Sequence, residues 1–162
     1  MKEKINLDWK LAIVIVVFLV LLWFVVLKPS GAKTEAKENE AMTKLAQSTK
    51  VKTAFNPLGF VPYVKSKGFT KTADYLKTKG LTVTDIKQSI KALYDAKGFF
   101  NDDEEKIYNI VRAIPNITIM SIIANGFSKF NIGISMQTFF SDFLGEKEMS
   151  KLYKIIDLKN FL

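Results

Sequence analysis

From Leu11 to Leu27 every side chain is apolar, LAIVIVVFLVLLWFVVL, and no polar position interrupts the run. Such a run predicts a membrane-spanning helix. At about 1.5 Å per residue it reaches roughly 25 Å, slightly short of a hydrocarbon core of about 30 Å. Leu11, Phe18 and Leu27 mark its start, middle and end, and Trp9 and Trp23 suit the headgroup levels. The stems of Lys10 and Lys28 extend the reach by carrying their ammonium groups outward. Lys28-Pro29-Ser30-Gly31 closes the span, because proline disfavours helical continuation. A cleaved signal peptide ending at Ser30-Gly31-Ala32 is the rival reading. Its apolar centre would run about 7 to 15 residues, and this run is longer, which favours an uncleaved anchor. Lysines flank both ends, so charge barely sets orientation; the expectation is an N-terminus on the inside.

Beyond the anchor, residues 1–28, the pattern divides three ways. Residues 29–54 carry no Leu, Ile or Phe before Leu45 and are rich in Ala, Lys, Glu and Thr. They read as a polar stalk, either a solvated helix supported by Glu35, Lys37, Glu38, Glu40 and Lys44 or a flexible tether. Residues 55–82 hold Phe55, Leu58, Phe60, Val61, Tyr63, Val64 and Phe69, broken by Pro57, Gly59, Pro62 and Gly68. No regular period fits, which predicts an irregular or short-helical lead-in whose aromatics pack on the domain that follows.

Residues 83–162 are periodic at helical spacing. Thr84 is expected to cap a helix with the stripe Ile86, Ile90, Leu93 and Tyr94, stopped at Gly98. Asn101 with Glu104 makes a capping-box pattern for a second helix through Ile107, Tyr108, Ile110, Val111 and Ile114, ended by Pro115. Asn116 or Thr118 then caps a third, with Ile119, Met120, Ile122, Ile123, Phe127 and Phe130, apolar enough around its circumference to be central. Ser135 caps a fourth with Met136, Phe139, Phe140, Phe143 and Leu144, ended by Gly145, and the last carries Met149, Leu152, Tyr153 and Ile156. The expected fold class is all-α: an N-terminal transmembrane helix plus a small five-helix domain.

Composition narrows the chemistry. The chain has no cysteine and no histidine, which excludes thiolate and imidazole metal sites, cysteine nucleophiles and Ser-His triads. No phosphate-binding glycine loop, dinucleotide fingerprint or nucleophile elbow occurs. Asp102, Asp103, Glu104 and Glu105 read as helix-capping acids rather than a glycosidase pair. Asn116-Ile117-Thr118 fits a glycosylation sequon but more simply marks a helix boundary. No enzyme and no cofactor are expected.

Charge is uneven. From Lys28 to Thr82 there are eleven lysines against four acids, net +7, whereas residues 83–162 hold ten basic and ten acidic residues. Lys44, Lys50, Lys52, Lys65, Lys67, Lys71, Lys77 and Lys79 form candidate contacts for anionic lipid or another polyanion. Arginine is nearly absent, which argues against base-specific nucleic-acid recognition.

The stretch ALYDAKGFFNDDEEKIYNIVRAI, with ISMQTFFSDFLG and EMSKLYKII after it, resembles an annexin repeat, which is also built of five short helices. It is similar to single annexin-like domains in small proteins of bacteria and phages, where an AFNP-like lead-in precedes a GFFNDDE-like turn. The resemblance implies calcium ligands at Gly98, Asp102 and Asp142. Phe100 stands where the family turn has its second glycine, and Asp102 and Asp103 are accounted for by capping, so no metal is expected. The functional expectation is a single-pass structural or interaction protein of a bacterial envelope or a phage particle's membrane. Its partners would be the bilayer and a protein, either a capsid or envelope protein or a second copy. The rival is an envelope-tethered module that binds cell wall, anionic lipid or nucleic acid through its lysines.

Overall fold

The computed structural model describes residues 36–98, 103–131 and 133–162, and among these the chain is all-α, with no strand. It divides into two compact units, Met1–Ala41 and Met42–Leu162. In the first, residues 36–41 are helical and exposed. The anchor residues Trp9, Leu11, Phe18, Trp23 and Leu27 lie outside the described residues, as do Phe99, Phe100, Asn101, Asp102 and Ile132. No helix among the described residues is long and apolar enough to cross a membrane.

In the second unit, residues 42–47 are helical and eight further helices follow: α1 Thr49–Phe55, α2 Val61–Ser66, α3 Thr72–Thr78, α4 Val83–Asp95, α5 Glu104–Ala113, α6 Ile117–Phe130, α7 Met136–Ser141 and α8 Glu146–Asp157. Helix α6 is the centre. Every residue from Ile117 to Ala124 is buried, because α1, α4 and α7 all pack on it while α8 joins α1 to α5. The all-round apolar pattern of α6 therefore finds neighbours on several sides. Gly126 sits where α4 crosses closest: a Cβ there would stand 2.4 Å from Ile90 Cδ1.

Local signals set the helix ends, with two shifts from the sequence reading. The α4 cap is Thr82, not Thr84. The Thr82 hydroxyl accepts from Asp85 N at 3.2 Å, and the Asp85 carboxylate accepts from Thr82 N at 2.7 Å, a complete capping box. These bonds hold the Asp85 carboxyl below its ordinary pKa. At α5, Asp103 is the cap and accepts from Lys106 N at 2.9 Å. Asn116 and Ser135 cap α6 and α7 as expected. Gly145 opens α8 rather than closing α7, which ends at Ser141.

Burial also redraws the N-terminal boundary. Val51, Ala54 and Phe55 belong to the core, and Met42, Leu45 and Ala46 pack against it, so residues 42–54, read from composition as stalk, lie with the compact unit. A spaced set of small and apolar residues among lysines covers one face of a domain as readily as it forms a tether.

The C-terminal residues strap the unit together. The Asn160 carbonyl accepts from Ile117 N at 2.8 Å, and the Thr118 hydroxyl donates to the Phe161 carbonyl, so two orphan groups at the start of α6 are satisfied by chain from the other end. Lys159 Nζ donates to the Arg112 and Ile114 carbonyls, at 3.1 and 2.5 Å, which suits the negative end of α5. Burial lowers the Lys159 pKa. Phe161 stacks on Tyr63, centroids 5.0 Å apart.

Between α5 and α8, Glu105 pairs with Lys151 and Arg112, and the Tyr108 hydroxyl donates to the Glu148 carbonyl at 3.2 Å. Burial first, then the charges of Glu148, Glu104 and Glu105, push the Tyr108 phenol up to about 12 against the opposing pull of Arg112. A raised pKa gives stability that is fully present below the ordinary tyrosine range, near 10, and is lost as pH rises from there through the folded value. Denaturation midpoints measured from about pH 9 upward should fall across that window. In the Tyr108→Phe variant this part of the fall should disappear; an unchanged slope would count against it.

Candidate functional site

The segment 55–82 becomes three short helices around a rigidly held turn. Asn56-Pro57-Leu58-Gly59 leaves α1, and Leu58 N donates to Asn56 Oδ1 at 2.9 Å. Helix α6 then grips the turn. Ser121 Oγ donates to the Asn56 carbonyl and accepts from Phe60 N at 2.8 Å, while Asn125 Nδ2 donates to the Pro57 carbonyl at 2.8 Å. Gly59 is there for space: a Cβ would meet the Thr53 carbonyl oxygen at 2.6 Å and Ser121 Oγ at 3.1 Å. Backbone cannot swing aside as a side-chain tip can, so Gly59→Ala should cost about 1–3 kcal/mol, read as a lower denaturation midpoint. An unchanged midpoint would show that the turn is looser than this.

The aromatics of this segment divide between core and surface. Phe55 is buried, with edge contacts to Phe140 and Tyr153 at 6.3 and 6.1 Å. Phe60 and Phe69 are partly buried against the core, and Leu58 at the turn's tip is 64% exposed. The expected packing of the lead-in on the domain therefore describes most of these side chains, and Leu58 is the exception.

The eight candidate lysines are not equivalent. Lys50 is half-buried and its Nζ donates to the Asp157 carbonyl at 2.7 Å, beside the Ser48 bond to the Asp157 carboxylate; it ties α1 to the end of α8. Lys77 lies 3.9 Å from Asp74, and Lys79 stands over the Tyr75 ring at 5.8 Å. Lys44, Lys52, Lys65, Lys67 and Lys71 are exposed. Exposed ammonium groups of this kind attract an anionic surface through long-range charge and hold no fixed geometry for one ligand.

Of the calcium candidates, Gly98 has φ +37, in the left-handed region that glycine favours, and Asp142 is exposed. Asp102 lies outside the described residues. Among the described residues no three His, Cys, Asp or Glu side chains gather around a point that could hold a metal ion. The sequon asparagine, Asn116, is 3% exposed and spends its side chain on the α6 cap, accepting from Ile119 N at 2.9 Å. In the folded unit it is not an acceptor for a glycan.

Two surface features escaped the sequence reading. The first is a groove of about 310 Å³ between α4, α5 and the start of α6, lined mainly by Leu81, Ile86, Ile110, Ile114, Ile119 and Ile123. The second is aromatic. Tyr94 and Phe130, expected in the core stripes of their helices, are 40% and 55% exposed, and Ile134 is 43% exposed. Tyr94 stacks on Phe139 at 5.4 Å and meets Phe130 edge-on at 5.4 Å, while Lys97 Nζ covers Phe139 and Phe143 at 5.2 and 5.7 Å. Helical spacing placed Tyr94 and Phe130 on apolar stripes, but each lies at the edge of its stripe, where the neighbouring helix ends.

The class defined by these features is an all-α domain with a basic N-terminal half. Compared with protein-family models, curated proteins and solved structures, the chain matches none.

Proposed function

We propose that this chain is a single-pass membrane protein that carries a non-enzymatic helical domain as a structural or interaction module. The observation that carries the reading is the uninterrupted apolar run Leu11–Leu27, with tryptophans and lysines at its ends. The domain's side-chain chemistry supports it. The carboxylates and hydroxyls of Thr82, Asp85, Asp103, Asn116, Ser121 and Ser135 serve caps and turn ties, and the chain lacks thiol and imidazole groups for catalysis. The resemblance to phage and bacterial annexin-like domains favours an envelope or a membrane-containing virion as its place. The test is alkaline carbonate extraction of membranes from cells expressing the full chain. Retention in the pellet supports an integral anchor, and release into the supernatant overturns it. Co-purification with detergent-sensitive particles then separates virion from envelope.

A second reading is favoured by the charge division, net +7 over residues 28–82 and zero over 83–162. In it the lysines hold the domain against an anionic surface. Binding of the full chain to DNA or peptidoglycan, or a change in domain accessibility on anionic against neutral vesicles, should weaken as salt rises. Salt-independent behaviour would remove this reading.

A further inference from the structure

We propose that the face formed by Tyr94, Lys97, Phe130, Ile134 and Phe143 is a contact between two copies of this chain held in the same membrane. The proposal rests on the anchor reading above.

Three observations select a second copy as occupant. The first is the mixed sign of the rim. Lys97 lies over the rings of Phe139 and Phe143, Lys129 precedes Phe130 in α6, and the exposed Asp142 adjoins Phe143. A two-fold contact sets a patch against itself, so it needs both charges around one apolar centre. An acidic partner would be drawn to the other half of the chain.

The second is where the patch lies in sequence. All five of its residues belong to 83–162, which carries ten basic and ten acidic residues, whereas the eleven lysines and four acids of 28–82 would repel a like copy. Copies meet at lower electrostatic cost through the neutral half.

The third is size. Tyr94 at 40%, Ile134 at 43% and Phe130 at 55% exposure, with two half-buried neighbours, offer well under the roughly 800 Å² per partner of a stable soluble complex. A contact this small is populated when the partners are already confined together, because tethering turns association into a nearly intramolecular step. Anchors in one bilayer supply that confinement. Two edge-to-face or stacked aromatic pairs across the axis would give it direction.

The absence of cysteine provides a clean reporter. The full chain carrying Ile134→Cys is reconstituted in lipid vesicles and oxidised with a mild copper catalyst. Lys154→Cys, exposed on α8, serves as control. The expected result is disulfide-linked dimer forming at least tenfold faster from Ile134→Cys than from Lys154→Cys. Adding Tyr94→Ser and Phe130→Ser, with helix content checked by circular dichroism, should return the rate to the control. Equal rates in vesicles that retain the chain after carbonate washing would overturn the patch contact while leaving the anchor intact. Release by carbonate would overturn the anchor reading, and the membrane-held contact with it.

Discussion

Phe140→Ala is expected to remove about 3–5 kcal/mol of folding stability, the range for deleting a fully buried phenylalanine from a core that relaxes only in part. Phe140 has no exposed surface and lies in the middle of an aromatic cluster, with ring centroids 6.3 Å from Phe55, 6.4 Å from Phe127, 6.0 Å from Phe139 and 6.3 Å from Phe143. It joins the N-terminal helix α1 to the central α6 and to the end of α7. Removing the ring takes an edge contact from Phe55 and leaves a cavity that three helices would have to close. Against a total of about 5–15 kcal/mol for an ordinary domain, such a loss approaches unfolding. Phe130→Ala is the matched comparison: it deletes the same atoms from a site 55% exposed and should cost well under half as much. Urea denaturation of both variants decides the point, and comparable losses would mean that the aromatic cluster is not packed as described.

The second large effect concerns the anchor. On an insertion scale, each apolar residue near the centre of a span contributes about −0.3 to −0.6 kcal/mol, and each arginine there costs about 2.5–3.5 kcal/mol. Seventeen apolar residues therefore favour insertion by roughly 5–10 kcal/mol. Phe18→Arg with Leu19→Arg, placed at the middle of the run where snorkelling is hardest, opposes insertion by about 6–8 kcal/mol. That brings the balance near zero. The double variant should move from the carbonate-resistant pellet to the supernatant, while the parent chain remains in the pellet. The thermal transition of the domain should survive, since neither residue belongs to the Met42–Leu162 unit. Continued retention of the variant in the pellet would show that something other than the apolar run holds the chain.

The sequence was most informative where the physics is local. Caps and stops follow from a side chain bonding a backbone group three residues away, which is why Asn116 and Ser135 were identified correctly. The two-residue shift from Thr84 to Thr82 arose because both threonines precede the same apolar stripe and only Thr82 has Asp85 at the reciprocal position. The core of α6 and α8 was equally plain, since Met149, Leu152, Tyr153 and Ile156 repeat at helical spacing and all are buried. The candidate site was less legible. Eight lysines in a row of sequence say nothing about which one turns inward, and Lys50 does so because Asp157, more than a hundred residues away, offers a carbonyl.

What the sequence alone determined is the apolar run, the division into a basic and a neutral half, and the position of most helices from residue 83 onward, because hydrophobic period and capping chemistry act over one or two turns. Only the tertiary structure decided that residues 42–54 join the core, that Ser121 and Asn125 grip the Asn56–Gly59 turn, and that Lys159 to Phe161 close the ends of α5 and α6. It also decided that Tyr94 and Phe130 reach the surface. Each depends on which element arrives from far along the chain, and an apolar position is buried only if a neighbour comes to cover it.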